Sequence, residues 1–389
     1  MNKYTKNGKL VAFFLVIFVC AGCTGSKNIQ DLAYIVTIGL DYDDENDEYT
    51  VYLQGLNFAN VAKQEGSKSQ EPIPTLIGKA KGKTMNLAIS KLFRLSRPPL
   101  FFGHTKTIVI SKNILTYKFK EVLEDVGRNY SLRPSLEILV TDEDMEEVLS
   151  AKGLFDYPPV YTVLLTSEKL EKIKNDIEPT NLMHFLREYY EPMGSAFLPT
   201  VKLDHDAWQA SEKITSLYLD GYSVFQGEEL KGDLPAKDAM MVYWLRNKNS
   251  AIYFPLYQDG ELMSTFDLSV NKMKVKYLKS KTEFSAFSLE VDVEAEMLEK
   301  IADIPYGEMK KALQQAIEKE ITSVYQNGLT KEMDLLDVGE TWFRKHPQAF
   351  RELEKKENKF YLTESSLNQT MVKVDIKHFN AYRYKKEDR

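Results

Sequence analysis

Phe287-Ser-Leu-Glu-Val-Asp-Val-Glu-Ala295 alternates apolar and polar side chains without a break, so one face of an extended strand is apolar and the other is wet. Such a strand reads as half-buried and antiparallel, and its apolar face requires a cover. The cover follows in Tyr306 to Asn327, where Met309, Leu313, Ile317, Ile321 and Val324 recur at helical spacing before Asn327-Gly328 offers a stop. A last alternating run, Val372, Val374 and Ile376 between Lys373, Asp375 and Lys377, returns the chain to the sheet. Sheet covered by helix, with strands and helices not strictly alternating, predicts an α+β fold.

The same signals recur upstream. Ala33 to Leu40 and Tyr49 to Phe58 are apolar, β-branched runs joined by the acidic segment 41–48, which predicts a hairpin with a solvated tip. That tip is no EF-hand loop, since Asn46 stands where Gly is required and Tyr52 where a bidentate Glu is required. Ala62 to Pro74 reads as a polar loop. Gly82-Lys-Thr84 opens a helix with Met85, Ala88, Leu92 and Leu95 on its core face, and Arg97-Pro98-Pro99 stops it. Strands are expected at Phe101 to Ser111 and Leu136 to Val140, then a helix capped from Thr141 and Asp144. Ser167 to Arg187 reads as helical with a break at Pro179. Leu198 to Leu203 reads as an edge strand because of Pro199, and Asp204 to Lys213 as a polar linker. Leu217 to Phe225, a turn at Gln226 to Glu229 and a short helix at Asp238 to Leu245 make a small β-rich unit. The expected divisions are a signal segment 1–22, an N-terminal α+β domain 24–203, a middle β-rich domain 214–262 and a C-terminal α+β domain 266–386.

The first residues set the compartment. Lys3, Lys6 and Lys9 precede an apolar run from Leu10 to Cys20, too short to span a bilayer and of the length of a secretion signal. The run ends in Ala21-Gly22-Cys23, which resembles the lipobox of bacterial lipoproteins: small residues before a cysteine that is acylated and becomes residue one. Cys23 is thus the expected lipidation site, and two acyl chains hold a domain on a bilayer durably where one is marginal. Loss of the three lysines with the signal takes the net charge from -6 to -9. So acidic a chain does not suit nucleic acid, nor is it drawn as a whole to an anionic bilayer. Both cysteines, Cys20 and Cys23, lie in this stretch, which excludes thiolate chemistry and disulfides from the mature chain.

The order of segments resembles the C subunit of GerA-type nutrient germinant receptors, the Ger(x)C lipoproteins of endospore-forming bacteria, over nearly the whole mature chain. The resemblance is carried by Leu32 to Asp41 ending in Gly39-Leu-Asp41, by Gly82-Lys-Thr84, and by Phe101-Phe-Gly-His104 before Thr107-Ile-Val-Ile110. It continues through Phe197-Leu-Pro199 with Lys202-Leu203, Gly221-Tyr-Ser-Val-Phe225 and Asp337-Val-Gly-Glu-Thr-Trp342 to Pro347. It implies three mixed or antiparallel sheet-plus-helix domains and a non-catalytic subunit needed for the germination response. The place implied is the outer face of the spore inner membrane, alongside an A subunit and an integral-membrane B subunit. It leaves open whether this subunit contacts the nutrient.

No catalytic, cofactor or metal motif emerges. His104, His184, His205, His346 and His378 show no ligand spacing, and Asp204-His205-Asp206, the one local cluster, reads as solvated. Neither a G-x-S-x-G elbow nor a phosphate-binding glycine loop is present. The competing readings are a solute-binding lipoprotein of a transporter and an anchored cell-wall hydrolase. Antiparallel alternation in the C-terminal half argues against the two α/β lobes of the former. Phe101 and Phe102, adjacent in an extended segment, point to opposite faces, so one meets a second layer or a partner. They are the expected partner-contact residues, with the helix from Met85 to Leu95 as the alternative cover.

Overall fold

A computed structural model describes residues 32–56, 75–129, 131–166, 177–248, 250–278, 286–353, 355 and 360–378. The signal segment 1–22, Cys23 and the polar loop Ala62 to Pro74 lie outside the described residues, as does the first part of the helical stretch expected from Ser167.

The chain builds two sheets. Sheet one contains β1 (Ala33–Asp43), β2 (Glu48–Leu56), β3 (Leu76–Gly82), β4 (Leu100–Phe101), β5 (Thr107–Ser111), β6 (Glu137–Thr141), β7 (Thr180–Asn181), β8 (Ser195–Gln209), β9 (Lys213–Gln226) and β10 (Glu229–Leu234). Its order is β10-β9-β8-β6-β5-β1-β2-β3, with β4 beside β1 and β7 beside β6. The β1–β5, β5–β6 and β6–β8 pairs are parallel and the flanking hairpins antiparallel. Sheet two is β11 (Ala251–Gln258), β12 (Glu261–Tyr277), β13 (Phe287–Lys300) and β14 (Leu367–His378), in that order. Residues 214–262 are therefore shared: β9 and β10 extend sheet one, and β11 opens sheet two.

Helices cover both faces of sheet one. α1 (Met85–Leu95), α2 (Lys112–Tyr117), α3 (Phe119–Arg128) and α5 (Leu182–Tyr190) close one face over Ile35, Ile38, Leu53, Ile108 and Ile138. α4 (Met145–Ser150), capped by Asp144, whose Oδ1 accepts from the Glu147 N–H at 2.8 Å, covers Val36, Val109 and Leu139 on the other. The apolar cluster on this second face runs on without interruption into α6 (Ala236–Arg246) and sheet two. α6 is buried almost all round, and its Trp244 Nε1 donates to the Leu268 carbonyl of β12 at 2.8 Å. α7 (Tyr306–Thr330) lays Met309, Leu313, Ile317, Ile321 and Val324 on sheet two, as its spacing predicts. α8 (Val338–Lys345) and α9 (Pro347–Leu353) follow.

The acidic tip is the expected turn. Asp43 accepts from the Asn46 backbone and side chain, and Tyr42 donates to Asp47 at 2.7 Å. The Gln226 to Glu229 turn places Gly227 and Glu228 at positive φ, the two-residue geometry that matches strand twist.

The fold departs from expectation in five places. Phe287 to Ala295 buries its alternate residues but pairs antiparallel only with β12; β14 lies parallel to it, because α7 to α9 intervene and form the long crossover a parallel neighbour needs. α7 passes through Gly328, which is buried where the chain folds back: a Cβ there would lie 2.7 Å from the Met333 carbonyl. Leu95 is exposed although its angle suits the core face, since α1 overruns the end of the sheet beneath it. Asp204 to Lys213 is no linker, as β8 and β9 continue into a projecting two-stranded arm closed between Gln209 and Lys213. β8 is also not an edge strand. Pro199, which has no N–H for the ladder, is accommodated at a bulge where Pro199 pairs with Tyr222 and Val201 with Leu219.

Gly221 occupies that bulge at φ 87°, and a Cβ there would sit 2.2 Å from the Leu234 carbonyl oxygen. Gly221→Ala is expected to cost at least about 2 kcal/mol from backbone strain and displacement of β10. Urea unfolding measures it, and Gly227→Ala, with open space around the site, separates strain from crowding.

Candidate functional site

Asp204, His205 and Asp206 lie on the exposed arm. Asp204 Oδ1 accepts from the Asp206 and Ala207 N–H groups, Asp206 pairs with Lys213, and His205 faces Thr215 at 3.1 Å and Glu147 at 3.7 Å. Among the described residues no group of three His, Cys, Asp or Glu side chains is placed to hold a metal. Phe101 and Phe102 diverge as extended geometry requires. Phe102 turns to α1, its ring 5.8 Å from Phe93, while Phe101 packs edge-on to Tyr34 at 5.7 Å and stays exposed.

The structure brings together a different set. A cleft of about 870 Å³ opens where α5, the end of α6, β12 and α8 converge, lined by His184, Glu188, Phe197, Arg246, Asp337 and Glu340 among others. Arg246 ends α6 and is its organising cation. Its Nη2 lies 3.3 Å from Glu188 of α5 and 3.7 Å from Asp337, and its guanidinium stacks 4.7 Å over the Phe197 ring of β8. One residue thereby touches both sheet-bearing halves of the chain. Among the described residues, the shielded Nη1 of Arg246 and Oδ1 of Asp337 find no hydrogen-bond partner, so the pair has unused capacity on either sign. Asp337 itself stands at φ 58°, a left-handed conformation that Asp tolerates better than most residues. Arg344, one helical turn beyond Glu340, pairs with it and also reaches Glu191 at 3.4 Å.

Behind the cleft is a buried carboxylate. Asp334 Oδ1 accepts from the Val338 N–H at 3.1 Å, and Oδ2 from the Gly339 N–H at 2.6 Å and the Tyr361 hydroxyl at 2.7 Å. Its own N–H donates to Gln226 Oε1 at 2.9 Å, and its carbonyl accepts from Ser195 Oγ at 2.8 Å. Asp334 therefore caps α8 from below and ties it to β8 and β9 of sheet one. Gly339 is obligatory here, because a Cβ would coincide with the Tyr361 hydroxyl at 1.6 Å. Burial, reinforced by Asp337, pushes the Asp334 carboxyl up to about 6 against the opposing pull of its donors. Burial and Asp337 likewise raise Glu340 to about 7.

The arrangement is one of holding: it fixes two halves of the chain together and keeps charges of both signs at the cleft. Sequence reasoning singled out Asp337 to Trp342 but not Asp334, Arg246, Glu188 or Gln226, which meet only through the fold. The one local signal was Gly339 within that motif.

For Asp334 and Glu340 the folded state favours the protonated acid more than the unfolded chain does. Their contribution to stability is therefore fully present below about pH 4 and is lost as pH rises through 6 to 7. The expected outcome is a fall in unfolding free energy between about pH 4 and 7, by up to about 1.4 kcal/mol per pH unit for each proton released. Glu340→Gln should flatten the upper part of this dependence in urea titrations at fixed ionic strength.

Residues 25–203 match the family described as "Spore germination protein N-terminal domain", and residues 220–380 the one described as "Spore germination B3/ GerAC like, C-terminal". The chain is 23% identical to "Spore germination protein KC" of Bacillus subtilis (strain 168) over 375 residues, 91% of each chain. It is also 23% identical to "Spore germination protein GerQC" of Bacillus cereus over 347 residues, 86% of this chain and 90% of that one. Its fold is similar to the crystal structure of the GerBC protein, with a TM-score of 0.50 at 16% identity, covering 91% of this chain and 100% of the other. With both halves matched in order along one chain, the protein belongs to the Ger(x)C family of spore germination proteins.

Proposed function

We propose that the protein is the lipid-anchored, non-catalytic C subunit of a nutrient germinant receptor. It sits on the outer face of the spore inner membrane with an A subunit and an integral-membrane B subunit. The observation that carries the reading is the conjunction of Ala21-Gly22-Cys23, closing a short apolar run, with a family match that begins at residue 25. Among the described residues no helix is long and apolar enough to cross a membrane. The described sites are built for holding. Arg246, Glu188, Asp337 and Asp334 are engaged in joining elements, and the one sequence cluster with acid–base residues lies on an exposed arm. Of the two aromatics expected to meet a partner, Phe101 is the outward one and remains the proposed contact; Phe102 packs on α1. With this reading go a signal segment, an N-terminal and a C-terminal unit, residues 214–262 being divided between the sheets of the last two.

Cys23→Ala is expected to abolish acyl labelling and to leave the chain unprocessed or loosely bound on membrane fractionation; labelling that persists in the variant sinks the anchor. Replacing Asp204, His205 and Asp206 together by Ala should leave the melting temperature and the germination response nearly unchanged. A lost response at an unchanged protein level would instead restore an enzymatic reading.

A further inference from the structure

The end of sheet one at which the chain enters carries exposed apolar side chains on a basic rim. Ala33, first residue of β1, donates its N–H to the Pro99 carbonyl at 3.0 Å and pairs with Leu100 of β4. The segment arriving from Cys23 therefore joins the fold beside residues 96–102. Nine residues lie between Cys23 and Ala33, ten Cα-to-Cα steps or at most about 35 Å of chain. Around this point Leu95 is 81% exposed, Leu76 63%, Phe93 46% and Phe101 39%.

Leu76, Phe93 and Leu95 lie on the α1 side of this end, and Phe101 points to the other face. Leu92 of α1 packs on Gly78 of β3, whose Cβ would lie 3.4 Å from it, and Gly82 lies against Ala88, so helix and strand run in opposite directions. Three residues further along, Leu95 ends α1 toward the Leu76 end of β3. Leu76 pairs with Gly55 on that side, whereas the next pair, Leu56 and Tyr34, points to the opposite face, where the Tyr34 ring contacts Phe101. Arg94 and Arg97 are exposed on the same turn, whereas the acidic segment 41–48 lies at the other end of β1. The local charge is thus opposite to that of the chain as a whole. Exposed apolar side chains beside like-signed charge on the α1 side mark an interaction surface, and the tether fixes which surface lies within reach.

We propose that this end of sheet one rests in the interfacial layer of the bilayer on its α1 side, with Leu76 and Leu95 among the acyl chains and Arg94 and Arg97 on lipid phosphates. The proposal deepens the anchor reading above, on which it rests, by assigning the face that the anchored domain turns to the membrane.

Cysteine labelling tests it, because once the signal is removed Cys23 is the sole cysteine and acylation blocks it. The acylated chain carrying Leu95→Cys is labelled with a polarity-sensitive fluorophore on vesicles of phosphatidylcholine and phosphatidylglycerol. Glu212→Cys, at the tip of the arm, is the reference. Leu40, Ile110, Val140 and Thr200 form one row across the sheet, with the patch before it and the arm after it, so the two labels sit roughly 50 Å apart along the strands. The expected result is a blue shift at 95 alone, severalfold stronger quenching there by nitroxide lipids, and a loss of both when Arg94→Glu and Arg97→Glu are combined. Equal, water-like emission at 95 and 212 while the chain floats with the vesicles overturns the proposal. So does shielding of 95 that appears only when the other receptor subunits are added. Failure of the anchor reading shows separately, as a chain without acyl groups that does not float. The unacylated chain is then read at high lipid concentration, where silence at 95 again overturns the proposal.

Discussion

Asp334 is a carboxylate taken out of water and kept there by three donors, two from the first turn of α8 and one from Tyr361. Burying such a group is costly unless its lone pairs are met, and meeting them constrains everything around it. Gly339 admits the Tyr361 hydroxyl. Gln226 and Ser195 bring the ends of β9 and β8 to the same residue. The position of α8, the left-handed step at Asp337 and thus the floor of the cleft follow from this one junction. Arg246 answers from the opposite wall, joining Asp337 to α5 through Glu188.

The two sheets do not behave as beads on a string. One apolar cluster passes from Val36 and Val109 through Phe197 and Val224 to Trp244, Phe266 and α7. A core shared in this way resists relative rotation, since any slip opens gaps along its whole length. The charged junction adds direction to that resistance. Hydrogen-bond geometry at Asp334 tolerates little displacement, whereas apolar contacts alone permit small sliding.

Much of this architecture was legible in the residues. Period-two alternation from Phe287 to Ala295 and the helical spacing from Met309 to Val324 are local signals set by burial on one face, and both elements are where they were read. The failures share a cause, since each depended on a distant segment. Parallel pairing of β14 with β13 is decided by the crossover and leaves no mark on alternation. Pro199 reads as an edge signal until a bulge with Gly221 is known to absorb it. Asp204 to Lys213 is as polar as a linker because a two-stranded arm exposes most of its side chains. Leu95 obeys helical periodicity, but no periodicity reports where the supporting sheet ends. The cleft was the least legible feature, as Glu188, Arg246 and Asp337 lie far apart in sequence and each resembles an ordinary surface charge.

The place of β1 in sheet one has a mechanical meaning. The strand that begins at Ala33 is not at an edge; it is clamped between β2 on one side and β4 and β5 on the other. A pull on the chain preceding Ala33 acts along the strand axis, across interstrand hydrogen bonds that lie largely perpendicular to it. Those bonds are loaded together, in shear, and no single pair can open ahead of the rest as in a peeled hairpin. Tension entering at this end is therefore carried into the middle of the sheet, and the domain follows its leading segment as one body.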